Sequence, residues 1–387
     1  MPFSDFHGNQ HIVAALRGAL RSARVPHALL FTGPRGLGKF TLARMFAQAA
    51  NCQRLADDFC GECAPCLRIA LLAQPEPLIA QGLAERGENA DASLVERMPL
   101  ILQTHPDVWA LVPDPVRLRN PVARPMLRIG QIRAMQRAAY FTPQGKRRVF
   151  ILDGAESMRW DVANVCLKIL EEPPVTSTLI LLAPSPSALL LTIVSRCLQF
   201  HFAPLETSEV EELLRKALSA SDRPALTPAE LKLAAQLAEG SPGLAMAMDV
   251  EAEMKLRRDA LRILGIAAHG QGFAQLFADT AALAKNRETP FDEQLAVFYT
   301  LLTDLLELTA GVQQPLLRNP SLGRELGALS RTVDAPWVER AIAGVDELAA
   351  GARRNLNRQL GLDALATELA ASTPARPAGP SVPSRAR

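Results

Sequence analysis

The chain has 387 residues, 48% of them hydrophobic, which is enough for two or three globular domains. Its 42 basic and 40 acidic residues leave a net charge of +2, too small to indicate nucleic-acid binding by charge alone. No stretch has the pattern of a signal peptide, and the apolar run from Thr178 to Leu191 is broken by Pro184 and Pro186. We therefore expect a cytoplasmic protein with no membrane partner and reduced cysteines.

The first predicted elements are a buried apolar strand over residues 28–32, a glycine-rich loop and a helix over residues 42–47. Between strand and helix, residues 33–40 read GPRGLGKF, which matches the phosphate loop G-x-x-x-x-G-K-[ST] except at its last position. A phosphate loop needs this order of elements, because the N-terminus of the helix then faces the phosphates. The alternative is a glycine turn that matches the motif by chance.

This loop keeps the residues that cradle a triphosphate and loses one that helps to hold Mg²⁺. Its candidate nucleotide-binding residues are Gly33, Gly36, Gly38 and Lys39. Glycines allow tight turns that aim backbone N–H groups at an anion. The last position requires the hydroxyl of Ser or Thr to bind Mg²⁺, and Phe40 cannot ligate a metal. Thr41 is not expected to substitute, because one residue along a helix turns the side chain by about 100°.

Four cysteines follow the predicted helix with the spacing C-x7-C-x2-C-x2-C. They are Cys52, Cys60, Cys63 and Cys66. This spacing predicts a closed, tetrahedral Zn²⁺ site, which is structural because no position is left for water. Four free thiols and an iron–sulfur cluster are the alternatives. Cys166 and Cys197 lie in apolar surroundings and are expected in the core.

A second buried strand, over residues 149–152, leads directly to Asp153. In a phosphate-loop protein an aspartate at such a strand end helps to hold Mg²⁺, so Asp153 joins the candidate nucleotide site. The next residue in an active ATPase of this kind is a glutamate that polarises the attacking water, and here it is Gly154. Glu156 is two residues further along and is expected to point elsewhere.

Two further motifs follow: a helix that ends in LEEPP at residues 170–174, and SRC at residues 195–197. With the phosphate loop and the four cysteines before them, these motifs resemble the bacterial clamp-loader family of AAA+ proteins. The resemblance extends over residues 8–241. It implies an α/β AAA+ domain with a parallel sheet, a small helical lid and an all-helical C-terminal collar. The family comprises ATP-hydrolysing gamma/tau subunits and ATPase-inactive delta-prime subunits.

Three departures separate this chain from the gamma/tau pattern. Phe40 replaces Ser or Thr, Gly154 replaces Glu, and Gly243 replaces the arginine that senses the γ-phosphate in gamma/tau lids. This pattern is similar to delta-prime subunits, whose SRC arginine reaches the ATP of a neighbouring gamma/tau subunit. The resemblance therefore implies that Arg196 is an arginine finger acting in trans. The alternative is an ordinary surface salt bridge.

The resemblance implies a non-hydrolysing subunit of the DNA polymerase III holoenzyme that helps to load the sliding clamp onto primed DNA. Its implied partners are gamma/tau and delta subunits in a hetero-oligomeric ring, with the clamp and primer–template DNA contacted through the complex. Zn²⁺ is the implied structural cofactor, and ATP or ADP binds weakly at most. Two alternatives stay open: a divergent gamma/tau-like ATPase that tolerates Phe40 and Gly154, and a stand-alone zinc-bearing AAA+ DNA-repair factor.

The chain divides in sequence into four parts. We expect an AAA+ domain over residues 1–203, a helical lid over 204–250, a helical collar over 251–372 and a disordered tail over 373–387. Within the first part lie the cysteine module, 52–66, and a helical insertion, 74–103. A basic stretch with six Arg and Lys residues occupies positions 128–148. It is either a solvated face or a surface that contacts DNA phosphates.

Overall fold

The computed structural model describes residues 2–87, 91–115, 125–219, 226–286, 289–352 and 357–372. The tail predicted over 373–387 lies outside the described residues. The chain separates into two compact units: the first comprises Met1–Leu213 and Gly240–Met246, and the second comprises Leu214–Glu239 and Ala247–Arg387. The division at 203 and 250 expected from the sequence stays a prediction.

The described residues of the first unit form a six-stranded sheet. Its strands in chain order are β1 Ala28–Thr32, β2 Ile101–His105, β3 Val108–Leu111, β4 Arg148–Leu152, β5 Ser177–Ala183 and β6 Leu198–His201. They are arranged as β2-β3-β4-β5-β1-β6, and all pairs are parallel except the antiparallel pair β2–β3. Every residue of β1, β4 and β5 is buried, as expected for strands covered on both faces. The predicted parallel α/β domain is therefore confirmed.

Helices cover both faces of this sheet. In chain order they are α1 Gln10–Arg21, α2 Lys39–Asn51, α3 Ala64–Ala70, α4 Pro75–Arg86, α5 Ala92–Arg97, α6 Ile129–Ala139, α7 Trp160–Glu171 and α8 Leu191–Val194. Successive residues of β1 point to opposite faces, so Leu29 and Phe31 join one apolar cluster with α1, α2 and α3. Leu30 joins a second cluster with α6, α7 and α8. The sheet thus lies between two cores.

The insertion predicted over residues 74–103 contains α4 and α5, and its last three residues belong to β2. A buried ion pair anchors it: the Arg86 guanidinium lies 2.6 Å from the Asp114 carboxylate. Arg86 also donates to the carbonyl of Met98 at 2.6 Å. Because a buried guanidinium is costly without such partners, these contacts fix the end of α4 against the domain.

The remaining helices follow β6 in the sequence. They are α9 Thr207–Ser219, α10 Pro228–Leu237, α11 Pro242–Ala247, α12 Val250–His269, α13 Phe273–Lys285, α14 Phe291–Thr309, α15 Gly323–Leu329, α16 Ala335–Ala352 and α17 Arg358–Ala371. In the second unit, α12 to α17 enclose one apolar cluster that includes Leu264, Phe298 and Trp337. Within the described residues no helix combines the length and the apolar character that crossing a membrane requires.

Candidate functional site

The predicted nucleotide-site residues meet at one edge of the sheet. The glycine-rich loop follows β1, and Asp153 follows β4, with β5 lying between these two strands. Because β1, β4 and β5 are parallel, their carboxyl ends share one edge. The backbone N–H of Gly33 donates to the carbonyl of Pro184, which follows β5, at 3.1 Å. The fold therefore brings together the loop and the acidic strand end.

The loop has the conformation of an anion cradle. Gly33, Gly36 and Gly38 have φ angles of 138°, 79° and 78°, which L side chains rarely adopt. The Lys39 ammonium folds over the loop and donates to the carbonyls of Gly33 and Pro34, both at 2.6 Å. Among the hydrogen bonds of the described residues, none uses a backbone N–H of residues 35–38 as donor. These N–H groups are free to bind an anion such as phosphate.

Charged side chains beside the loop influence one another. Burial raises the pKa of the Asp153 carboxyl, and the nearby Lys39 and Arg35 charges oppose that rise. Burial also lowers the pKa of Lys39, while the carboxylates of Asp153 and Glu156 act in the opposite direction. The backbone N–H of Gly154 donates to Asp153 Oδ1 at 3.0 Å. The site thus brings two cations, Lys39 and Arg35, and two acids, Asp153 and Glu156, into partly buried surroundings.

Glu156 also influences the site. Its carboxylate acts to raise the pKa of Lys39, and the expectation that it points elsewhere stays a prediction. Gly154 has a φ of 63°, and the 3₁₀ turn Ala155–Ser157 that follows turns the chain back. Glu156 Oε2 is buried without a hydrogen-bond partner among the described residues. The sequence identified Glu156 as the next acidic residue after Asp153 but did not reveal its influence on Lys39.

The residue in the Mg²⁺-ligand position has become part of the core. Phe40 is partly buried and packs against the apolar cluster of α1 and α2. Thr41 lies exposed on α2. The aromatic ring at position 40 therefore stabilises the helix that follows the loop and supplies no oxygen to a metal.

A second segment of the first unit, residues 240–246, lies against the loop. The backbone N–H of Gly243 donates to the carbonyl of Gly36 at 2.9 Å. A Cβ atom at position 243 would lie 2.9 Å from that carbonyl oxygen, and one at position 36 would lie 2.7 Å from the nitrogen of Leu244. Both distances are shorter than real contacts allow. The position where gamma/tau subunits are expected to carry the sensing arginine thus holds a glycine in contact with the loop.

Arg196 lies at the opposite edge of the sheet from the phosphate loop. It precedes β6, which runs parallel to β1 with Leu29 opposite Leu198 and Thr32 opposite His201. The phosphate loop follows the carboxyl end of β1, whereas Arg196 precedes the amino end of β6. The amino and carboxyl ends of these strands are about 13 Å apart, which is the length of four strand residues. Arg196 is therefore directed away from the phosphate site of its own chain.

The Arg196 guanidinium is partly exposed and has two partners in its own chain. It lies 2.9 Å from the carboxylate of Glu171, and the exposed fractions of the two side chains are 35% and 50%. It also donates to the carbonyl of Thr192 at 2.8 Å. Glu171 belongs to the LEEPP motif, so the two short motifs singled out in the sequence meet here. Sequence reasoning did not pair them.

The four predicted metal ligands converge. The sulfur atoms of Cys52, Cys60, Cys63 and Cys66 all lie within 4.8 Å of one another. Tetrahedral Zn²⁺ with Zn–S bonds of about 2.3 Å places its sulfur ligands about 3.8 Å apart. Four thiols that offer no other donor type therefore fit a closed Zn²⁺ site.

The environment of Cys60 favours its thiolate form. Backbone N–H groups of Glu62 and Cys63 lower the pKa of the Cys60 thiol to about 6. The N–H of Cys63 lies 3.3 Å from Cys60 Sγ, and the N–H of Leu55 lies 3.4 Å from Cys52 Sγ. Thiolates are the form that binds a metal ion. Burial has the opposite effect at Cys66, where it raises the pKa.

The cysteine cluster is attached to the helix of the phosphate loop. Cys52 caps the C-terminus of α2, and Gln48 of the same helix donates to the carbonyl of Cys66 at 2.9 Å. Asp57, in the loop between the first two cysteines, lies 2.7 Å from the Arg21 guanidinium of α1. Loosening the cysteine cluster should therefore disturb α1 and α2.

The basic stretch 128–148 does not form one continuous surface. Arg133 and Arg137 are exposed on α6. Arg147 donates to the carbonyl of Ser177 and the hydroxyl of Thr178 at 3.3 and 3.1 Å. Arg148 is buried and lies 3.0 Å from the Asp107 carboxylate. The stretch thus supplies a structural ion pair and structural hydrogen bonds as well as exposed charge.

Comparisons with known proteins identify the family of the chain. A family model described as DNA polymerase III, delta subunit, matches residues 8–206. The chain is 31% identical over 240 residues to DNA polymerase III subunit tau/gamma of Haemophilus influenzae, covering 62% of this chain and 29% of that protein. It is 35% identical over 223 residues to DNA polymerase III subunit delta' of Pseudomonas aeruginosa, covering 57% and 55%. The matches thus span less than two thirds of either relative.

Among solved structures, one similar chain is a DNA polymerase III gamma subunit-related protein from Thermotoga maritima. It has a TM-score of 0.36 and 16% identity, with 92% of this chain and 99% of that chain covered. Another is the RuvB Holliday junction branch migration motor of the same organism, with a TM-score of 0.37 and 16% identity, covering 84% and 86%.

Proposed function

The chain belongs to the DNA polymerase III delta-subunit family, and on that premise we propose that it is a delta-prime-type clamp-loader subunit that does not hydrolyse ATP. In this role it joins gamma/tau and delta subunits in a hetero-oligomeric ring. That ring loads the sliding clamp onto primer–template DNA.

The position of Arg196 carries the proposal. Its guanidinium lies at the sheet edge opposite the phosphate loop and cannot reach a nucleotide bound there. An arginine that serves phosphoryl transfer from that edge must act on another subunit's nucleotide. We assign Arg196 this role in trans, since a guanidinium is permanently charged and matches phosphate oxygens in shape.

The loss of hydrolysis rests on three positions. Phe40 packs into the core where a Mg²⁺ ligand is needed, and Gly154 has no carboxylate to polarise water. Gly243 contacts the loop where an arginine is expected to sense the γ-phosphate. The free N–H groups and Lys39 can still hold a phosphate, so weak binding of ATP or ADP is compatible with this role.

Zn²⁺ is proposed as the structural cofactor. Cys52, Cys60, Cys63 and Cys66 would hold it, and a closed set of four thiolates leaves no position for a reacting water. The ion would fix the segment that follows α2. No step of ATP hydrolysis or clamp loading is assigned to the metal.

A divergent gamma/tau-like ATPase is the second candidate, and Glu156 favours it. Its carboxylate raises the pKa of Lys39, and its Oε2 atom is buried without a hydrogen-bond partner among the described residues, so it is available to replace the missing glutamate. An ATPase assay of the isolated chain distinguishes the two functions. The delta-prime-type role predicts no hydrolysis, whereas turnover on the order of 1 s⁻¹ that Glu156→Gln abolishes would establish the second candidate.

The proposed partners of the chain can be tested separately from its ATPase activity. A tagged chain should capture gamma/tau and delta subunits when these are mixed in purified form. Failure to enter a complex with them would contradict the proposed role, whatever the result of the ATPase assay.

A further inference from the structure

The Arg196 side chain is held in place by its own chain. Its guanidinium contacts the Glu171 carboxylate at 2.9 Å and the Thr192 carbonyl at 2.8 Å. We propose that Glu171 is a positioning residue, whose carboxylate orients Arg196 toward the nucleotide of the neighbouring subunit. This inference rests on the proposed action of Arg196 in trans.

Both residues of this pair extend from anchored backbone. Glu171 ends α7 directly after Leu170, which is buried in the cluster on that face of the sheet. Pro173 follows closely and prevents the helix from continuing. On the other side, Ile193 and Val194 of α8 are buried in the same cluster, three and two residues before Arg196. Because both residues extend from buried, fixed backbone, the ion pair can hold the Arg196 guanidinium in one orientation.

Glu171 occupies a place that its own helix disfavours. The C-terminus of a helix carries partial negative charge, so a carboxylate there is destabilising. Glu172 is the C-cap residue and adds a second acidic side chain. Glu171 therefore does not stabilise the end of α7. The Arg196 charge offsets the cost, which links the two residues electrostatically.

The pair leaves Arg196 able to act on a phosphate. A guanidinium has five N–H donors, of which the hydrogen bond to Thr192 uses one, while the contact to Glu171 is an ion pair. The side chain remains 35% exposed, so the other donors are accessible to an incoming group. Without Glu171 the arginine would sample more rotamers and would have to be ordered during the reaction. Preorganised charges stabilise a transition state without that cost.

A double-mutant cycle in the reconstituted clamp loader tests the proposal. Glu171→Ala should lower the kcat of DNA-stimulated ATP hydrolysis by about two- to fivefold, the range typical of partly exposed ion pairs. KM for ATP should be unchanged. In an Arg196→Ala background the same change should have no further effect. Glu172→Ala is the matched control for loss of negative charge at this helix end and should leave the rate unchanged.

The outcomes separate this inference from the proposed function. Two results would overturn the positioning role of Glu171 while leaving the trans action of Arg196 in place. The first is an equal loss of kcat from Glu171→Ala with Arg196 and with Arg196→Ala. The second is no loss of kcat from Glu171→Ala when Arg196 is intact. If Arg196→Ala itself has no effect, both proposals fail.

A measurement on the isolated chain does not depend on the complex. Phenylglyoxal modifies accessible arginines, and mass spectrometry can follow Arg196 and the exposed Arg133 in the same sample. Glu171→Ala should raise the modification rate of Arg196 severalfold and leave that of Arg133 unchanged. An unchanged rate at Arg196 would show that Glu171 does not restrain it.

Discussion

The backbone N–H of Gly243 donates to the carbonyl of Gly36 at 2.9 Å, which places residues 240–246 directly on the phosphate loop. Gly36 itself faces Leu244, with no space for a Cβ atom. The loop and this segment therefore fit together only because both contact residues are glycines. The sensing arginine of gamma/tau subunits could not be restored at position 243 without moving the loop.

Gly243→Ala should destabilise the protein. The added methyl group would lie 2.9 Å from the carbonyl oxygen of Gly36, and overpacking of this kind costs about 1–3 kcal/mol. Gly18→Ala is the matched control, because Gly18 is also helical but has no atom within 4 Å of an added Cβ. That control should be stabilising by up to about 1 kcal/mol. Urea denaturation compares the two, and equal effects would contradict the close contact.

The metal site predicts about one Zn²⁺ per chain. Cys63→Ser should release the ion and lower the melting temperature, because metal binding contributes folding free energy and the cysteine cluster is attached to α2 through Cys52. Cys166→Ala removes a buried thiol outside the cluster and should keep the ion. Elemental analysis measures the zinc content of each variant. Absence of zinc from protein purified without chelator would refute the site.

Asp153→Asn should stabilise the protein at neutral pH. Burial raises the folded-state pKa of Asp153, so the native state binds more protons than the unfolded state between the two pKa values. The free energy of unfolding therefore falls as the pH rises from the unfolded-state pKa to the folded-state pKa of Asp153. Asparagine is uncharged, so the variant avoids this loss at pH values above that range. Below the unfolded pKa the benefit should vanish.

Asp57→Asn provides a comparison of opposite sign. A hydrogen bond from Arg21 lowers the pKa of Asp57, so its contribution to stability is present above the unfolded pKa and is lost as pH falls through the folded pKa. This change should destabilise the protein at neutral pH. Thermal unfolding across pH measures both variants, and a destabilising Asp153→Asn would contradict the assigned burial cost.

Asp107→Ala should be strongly destabilising. It leaves the Arg148 guanidinium, whose side chain is 8% exposed, without its carboxylate. Removing one partner of a buried ion pair costs about 3–5 kcal/mol. Asp107 also accepts the backbone N–H groups of Gln144 and Gly145 at 3.1 and 2.6 Å. Arg133→Ala, at an exposed position, should change the free energy of unfolding by less than about 0.5 kcal/mol. Similar values for the two variants would contradict the buried pair.

Local spacing predicted much of this site. The strand, loop and helix around Lys39 and the convergence of the four cysteines follow from residues that are close in sequence, where backbone geometry leaves few arrangements. The apolar run ending at Asp153 likewise predicted a buried strand and its carboxyl end. These patterns depend little on the rest of the fold.

Contacts between distant segments could not be predicted in the same way. The burial of Arg148 depends on Asp107, which only the pairing of β3 with β4 brings near. The contact of Gly243 with Gly36 and the ion pair of Arg196 with Glu171 also depend on packing between elements. Tertiary structure decided these three cases.

The central claim is that Arg196 acts on the nucleotide of a neighbouring subunit. Clamp-loader complexes assembled with wild-type, Arg196→Ala or Arg196→Lys chains should form equally well, because this partly exposed ion pair contributes at most about 1 kcal/mol to folding. DNA-stimulated ATP hydrolysis and clamp loading should both slow, with a loss of up to about 10³-fold at the one affected site and a partial loss overall. Lysine should restore little, since it lacks the planar fork of donors. Rates indistinguishable from wild type in fully assembled complexes would contradict the account and leave Arg196 as a structural residue.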